Sequence, residues 1–447
     1  MRTLLFLVVL STGGLLAWGQ TRAEDVKSFT LSNGMKFLVV EDHSIPNANL
    51  YLFWRVGSRN ERPGITGISH FFEHMMFNGA KKYGPKEFDR VMEANGGSNN
   101  AYTTADVTVY TDWFQSGALE TIFDLEADRI ANLAIDPSMV ESERGVVLSE
   151  RSTGLENSNF RTLFEQVQAA AYTAHPYHWP VIGYESDIKA WTQADLEAYH
   201  RTYYAPNNGL AVVVGDVTLA QVEALARKYI EPIPAQPAPE PVRTVEPEQF
   251  GERRITVYKD IYSPNLAMAW HVPATRHPDF YALDLLSSLL TGGESARLTK
   301  GLVYDQQVAT SVFAFGDQNF DPGLFTVYAV ASSTLPNSET PVTPQLLEAA
   351  IDSLLADIRQ NGVTERELQK VKNQKLIEFY RSVEDINGRA NALGTYELFF
   401  GDYRKLYDAP SLYQQVTVDD IRRVAATYLV PTNRTVGYLL PTPTTQN

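Results

Sequence analysis

His70-Phe71-Phe72-Glu73-His74 sits in an apolar stretch that runs from Ile65 to Phe77. Residues four apart share one face of an α-helix, so the two imidazoles can reach one metal ion. At about 100° per residue the bisector of the two histidines lies near 20° and Glu73 near −60°, so Glu73 flanks the ion by about 80°. In the H-E-x-x-H order the glutamate would flank it by a similar angle on the other side. Glu73 is too far round to bind the ion together with both histidines. It is well placed to take a proton from a water held there, as a general base does.

Histidine is scarce, eight in 447 residues. Chance alone would supply an H-x-x-E-H in about one such chain in a hundred. The competing reading is a helix whose polar residues merely solvate a face. Ile65, Ile68, Phe71, Phe72, Met75, Met76 and Phe77 argue for a buried helix instead. Three ionisable groups on a buried helix need partners, and a divalent cation with its water supplies them. Met75 and Met76 read as core packing rather than as ligands.

Zinc needs a third protein ligand and an open position. The segment from Met139 to Glu150 offers candidates, because Glu143 and Glu150 are two helical turns apart and share a face. A solvated acidic face is the alternative; Val146, Val147 and Leu148 argue for partial burial.

His70, Glu73 and His74, followed by Glu143 and Glu150, resemble the pitrilysin/insulinase family of inverted-motif zinc peptidases, which includes the mitochondrial processing peptidases. The resemblance implies one zinc ion held by His70, His74 and Glu150. It implies Glu73 as general base and Glu143 as a second acidic residue supporting the site. It extends to Gly96-Gly97-Ser98-Asn99-Asn100-Ala101-Tyr102-Thr103-Thr104, with Asp106, Thr108 and Tyr110. In the family this is an edge strand that holds substrate backbone. Asn99, Asn100, Ala101 and Tyr102 are therefore candidate substrate contacts, an extended peptide adding to the strand by main-chain hydrogen bonds. His175 to Gly183 and Tyr203-Tyr204-Ala205-Pro206-Asn207-Asn208 also fit, so the resemblance covers nearly the whole chain after residue 25.

The expected reaction is hydrolysis of unfolded peptides. The rival readings are a scaffold subunit that kept the fold without catalysis, and a zinc hydrolase with a non-peptide substrate. His175 and His178 could be a second metal pair, but Pro176 and Trp179 make them loop residues packing near the site. His43, His200, His271 and His277 have no partner that the sequence reveals.

At 447 residues, with 44% hydrophobic and 20% charged residues, the chain is an ordinary globular protein of more than one domain. A formal charge of −15 argues against nucleic acid or an anionic membrane as partner. The absence of cysteine excludes disulfides, thiolate ligands and a lipid-bearing N-terminal cysteine. Arg2, the apolar run Leu4 to Trp18 and the small residues that follow read as an export signal over residues 1–23. The expected location is the periplasm of a Gram-negative bacterium, with an uncleaved anchor as the alternative; no stable membrane insertion is expected.

Residues 231–249 carry six prolines with glutamates between, an extended connector. It separates a metal-bearing domain, 24–230, from a second domain, 250–447, and the two match. Asp195 and Asp420, Tyr203 and Tyr428, Pro206 and Pro431, and Asn208 and Asn433 all stand 225 residues apart. A duplication explains this. Alternating strand-like and helical runs predict α+β, with a mixed, mostly antiparallel sheet packed with helices in each half. The second half reads Ala282-Leu283-Asp284-Leu285-Leu286 where the first has its histidines. The resemblance implies a clam-shell of two such halves, four in the full enzyme, enclosing a peptide.

Family members that act alone carry an Arg and a Tyr, seven apart, in the second half, where they steady the substrate carbonyl. Arg297 and Tyr304 have that spacing. The flanking landmarks Ser295-Ala296-Arg297-Leu298 and Val308-Ala309-Thr310-Ser311-Val312 instead place the pair positions on Val303 and Thr310. Arg297 then reads as a packing or ion-pair residue. The resemblance leaves this chain expected as the metal-bearing subunit of a dimer, hetero- or homo-, whose related partner supplies the Arg and Tyr.

Overall fold

A computed structural model describes residues 22–443 of the chain. The export signal expected over 1–23 lies, up to residue 21, outside the described residues. Among the described residues no helix is long and apolar enough to cross a membrane.

The first half carries a six-stranded sheet: β1 (Lys27–Thr30), β2 (Lys36–Glu41), β3 (Asn47–Trp54), β4 (Ser98–Thr103), β5 (Thr108–Gln115) and β6 (Gly209–Gly215), in the order β1-β2-β6-β3-β5-β4. The second carries β7 (Arg253–Lys259), β8 (Asn265–Val272), β9 (Ala309–Gly316), β10 (Gly323–Ala331) and β11 (Arg434–Pro441), in the order β7-β11-β8-β10-β9. Without β1 the two orders coincide. β2 with β6 and β7 with β11 are parallel, and every other pairing is antiparallel. The fold is α+β, with two equivalent sheets.

Helices α1 (Ile68–Met75), α2 (Glu87–Ala94), α3 (Leu119–Asn132), α4 (Pro137–Asn157), α5 (Asn159–Ala171), α6 (Glu185–Ala190), α7 (Gln193–Tyr203) and α8 (Leu219–Leu225) lie in the first half. Helices α9 (Phe280–Thr291), α10 (Pro344–Asn361), α11 (Glu365–Ser382), α12 (Ile386–Thr395), α13 (Lys405–Gln415) and α14 (Val418–Tyr428) lie in the second. The apolar periodicity from Asp385 to Phe400 predicts one continuous helix, but α12 runs regularly only to Thr395. It ends in a wider π turn, Tyr396–Phe400, stopped by Gly401 at φ 80°.

The repeat is chemical as well as topological. Thr192 caps α7 and receives the Asp195 amide at 3.2 Å, while Asp195 receives the Thr192 amide at 3.1 Å. Thr417 and Asp420 do the same for α14, at 3.1 and 3.0 Å. Such reciprocal caps satisfy two orphan amides at a helix start. After each helix a buried or half-buried asparagine ties helix end to strand: Asn208 donates to Tyr203 O and Arg55 O, Asn433 to Tyr428 O and His271 O.

The halves exchange helices. α5 lays Leu163, Val167 and Ala171 against Ala267, Ala269 and Leu439 of the second sheet. α12 packs across β3 and β6 of the first. Both crossings are close enough to require glycine. A Cβ on Gly394 would stand 2.1 Å from the Phe53 ring, and one on Gly437 would stand 2.3 Å from a Val167 methyl. Residues 231–249 hold neither helix nor strand. Glu246 in that connector accepts the Thr173, Ala174 and His175 amides at 2.8–2.9 Å, which fastens it to the first half.

Candidate metal centre

α1 begins on Gly67, which is left-handed at φ +85° and so close to Ile182 that a Cβ would meet its carbonyl oxygen at 2.4 Å. Glu61 accepts the Gly67 and Ser69 amides at 2.7 and 2.8 Å, satisfying the helix start. Ile68, Phe71, Phe72 and Met75 turn into the core, and Tyr110 donates to Phe72 O at 3.0 Å. That anchoring leaves His70, Glu73 and His74 on the other, half-buried side.

α4 crosses α1 there. The Oε2 of Glu150 lies 3.6 Å from His70 Nε2 and 3.5 Å from His74 Nε2. Two ligand atoms at about 2.0–2.1 Å from a tetrahedral zinc stand about 3.4 Å apart. The three donors lie too far apart for hydrogen bonds of ordinary length and at the spacing an ion needs. His70, His74 and Glu150 form a grouping whose ligand atoms all fall within 4.8 Å of one another. A set of two imidazoles and one carboxylate, without thiolate, suits zinc. The residues therefore fit the ion.

Electrostatics supports the assignment of roles. Burial, with His74 nearby, pushes His70 down to about 4, so it stays neutral and able to bind metal. Burial also acts to lower His74, but the hydrogen bond to Glu143 and the neighbouring Glu150 outweigh it and hold the imidazole at about 9. The contact with His74 keeps Glu150 below the usual carboxylate range. Glu143 receives His74 Nδ1 at 2.8 Å and the Asn78 amide at 2.7 Å. Burial pushes the Glu73 carboxyl up, against a 2.6 Å hydrogen bond from the Thr103 hydroxyl to its Oε2.

Thr103 ends β4, which among the described residues pairs only with β5 and stands at the edge of the sheet. The Thr104 amide bonds Val107 O at 2.8 Å. Alternation along an antiparallel pair then directs the backbone groups of Asn99, Ala101 and Thr103 to the open edge. Of the four residues expected to meet substrate, Asn99 and Ala101 thus present main chain outward, with the Ala101 amide donating to Asn100 Oδ1 at 2.9 Å. The Asn100 carbonyl receives the Thr111 hydroxyl at 3.2 Å, and the Tyr102 hydroxyl donates to Asn391 of α12 at 3.0 Å.

His175 and His178 do not converge. His175 faces Asp321 at 3.1 Å and His178 faces Tyr172 O at 3.1 Å, in the junction between the halves. His43 pairs with Asp216, His271 with Ala171 O, and His200 is buried against Phe72 and Tyr204. Arg297 is engaged between α10 and α11, with Nε and Nη2 on Glu367 at 2.6 and 2.9 Å and Nη1 on Asp357 at 2.7 Å. Tyr304 is 51% exposed. On α4, Val147 is buried as expected, but Val146 is 48% exposed, on the open side of the helix that it shares with Glu150. Thr103 and Asn78 were not singled out by the sequence; Thr103 lies inside the strand motif, whereas nothing marks Asn78.

The family pattern described as insulinase (peptidase family M16) matches residues 36–184, and that of the peptidase M16 inactive domain matches residues 190–375. The chain is 32% identical to zinc protease PqqE of Helicobacter pylori over 97% of each chain. It is 25% identical to the probable mitochondrial-processing peptidase subunit beta of Schizosaccharomyces pombe, over 91% of this chain and 89% of that protein. Its fold is similar to the crystal structure of a protease from Helicobacter pylori, with a TM-score of 0.88 at 32% identity, over 93% of this chain and 99% of the other.

Proposed function

The chain belongs to the insulinase family, peptidase family M16, and on that premise we propose that it is a zinc endopeptidase for unstructured peptides. The observation that carries this reading is the convergence of His70 Nε2, His74 Nε2 and Glu150 Oε2 at ion spacing. Zinc bound there would polarise the scissile carbonyl and make a water acidic enough to attack at neutral pH. Glu73, raised by burial and steadied by Thr103, accepts the water's proton and hands it to the leaving amine. Glu143 orients His74 through Nδ1. The open edge of β4 takes the substrate as an added strand, with Asn99 and Ala101 giving main-chain hydrogen bonds. Such binding reads backbone and excludes folded proteins.

On this proposal the chain divides into a catalytic domain over 24–230, the connector 231–249 and a second domain over 250–447 that shapes the chamber. The reading also includes a related partner subunit. Support comes from Arg297, whose guanidinium is committed to Glu367 and Asp357, and from the relative named as a subunit. The N-terminal apolar run supports export to the periplasm. The second reading is a scaffold without catalysis; the inactive-domain pattern over residues 190–375 covers none of the candidate ligands and is compatible with both.

Zinc content and peptide cleavage, measured together with and without the partner, separate the two. Stoichiometric zinc with cleavage that Glu73→Gln abolishes is the expected result. A chain that takes up no zinc overturns the enzymatic reading.

A further inference from the structure

An open surface groove of about 690 Å³ runs along α4 beside the candidate metal centre. Gly145, Ser149, Glu150, Thr153, Gly154 and Arg161 line it. Glu150 thus faces the histidines and also this groove. Arg161 comes from the first turn of α5 and leans on bare α4 backbone, since a Cβ on Gly154 would stand 2.2 Å from its Nη1. Gly154 is one helical turn beyond Glu150, about 6 Å along the axis.

Among the described residues, no hydrogen bond or ion pair engages the Arg161 guanidinium, and the side chain is exposed. Its neighbour Arg151 is different: it is buried and bound to Glu165 at 2.7 Å. A seated but unpartnered guanidinium offers a planar fork for a carboxylate. Its charge reaches the centre, where it adds to the forces holding Glu150 and His70 down. In a chain of net charge −15, a free cation at this point breaks the prevailing sign.

Resting on the peptidase reading above, we infer that Arg161 is a specificity-determining residue that receives a carboxylate of the bound peptide. The carboxylate is an acidic side chain near the bond being cut, or the peptide's C-terminus. Arg161 acts on which peptide is held and leaves proton transfer to Glu73.

The test uses zinc-loaded chain carrying Glu73→Gln, assembled with its partner subunit, so that peptides bind without being cut. Labelled unstructured peptides of one sequence are compared by fluorescence anisotropy. One series replaces each Glu with Gln in turn, and another replaces the free C-terminus with an amide. Removing the recognised carboxylate is expected to weaken binding about tenfold. That difference should vanish with Arg161→Gln and turn into a preference for Lys with Arg161→Glu, a reversal that a merely structural role would not produce. The series that loses affinity identifies the source of the carboxylate. Binding whose carboxylate dependence is the same with and without Arg161 overturns the inference alone. Failure of every peptide to bind at full zinc loading overturns the peptide reading and the inference with it.

Discussion

Glu143 Oε1 lies 2.8 Å from His74 Nδ1, on the ring edge opposite the Nε2 that faces Glu150 at 3.5 Å. A carboxylate in that place keeps the proton on Nδ1 and turns the Nε2 lone pair to the ion position. Asn78 holds the other oxygen of Glu143. Glu143→Gln should therefore weaken zinc binding by about ten- to a hundredfold. Competition with a chromogenic chelator measures this; unchanged affinity would leave Glu143 without that role.

Thr103 donates to Glu73 and favours its ionised form. With Thr103→Val the Glu73 carboxyl rises further, so the acid limb of the kcat/KM profile should move to higher pH. Zinc content should stay the same. Glu73→Gln should cost about a hundredfold or more in turnover at every pH. An acid limb that does not move with Thr103→Val would assign it to another group.

Metal uptake should release a proton. Without an ion His74 sits at about 9 and is protonated near neutrality, whereas His70 at about 4 is not. A zinc ligand must be neutral imidazole, so uptake near pH 7.5 should free about one proton. Calorimetry in buffers of different ionisation heat reads that number. The sign for the metal-free fold follows: the raised His74 contributes stability that is complete below its ordinary value of 6.5 and is lost as pH rises through about 9.

Gly394 fits α12 against β3 with no room for a methyl group. Gly394→Ala should destabilise the chain by about 1–3 kcal/mol. Urea unfolding is the check, and an unchanged midpoint would mean that the two halves yield easily at this contact.

Arg297→Gln breaks ion pairs that are partly open to water, so the loss should be about 1 kcal/mol or less. Tyr304→Phe should alter neither stability nor cleavage. A large rate loss from Tyr304→Phe would instead make this chain self-sufficient.

Within each helix the candidate centre was legible because the spacing is local, whereas the pairing of Glu150 with the two histidines came from the family resemblance. His70, Glu73 and His74 fall on one helix, and Glu143 and Glu150 on another, so helical spacing alone puts them on common faces. The repeat was legible through the constant spacing of Asp195 and Asp420, Pro206 and Pro431, and Asn208 and Asn433, which mark the start and end of equivalent helices. Asn78 has no such signature, since its partner Glu143 is fixed by how α4 crosses α1. The seating of Arg161 on Gly154 is equally a product of tertiary packing. The end of α12 was overrun because Tyr396–Phe400 keeps an apolar helical pattern while its hydrogen bonds widen into a π turn.

The exchange of α5 and α12 means that the proline-rich connector is not what keeps the two halves together. Each sheet is roofed by a helix whose sequence belongs to its counterpart, so severing the chain between Pro232 and Pro247 yields one protein in two pieces. A fragment ending at the connector would surrender the roof over β3 and β6 and leave Phe53 facing water.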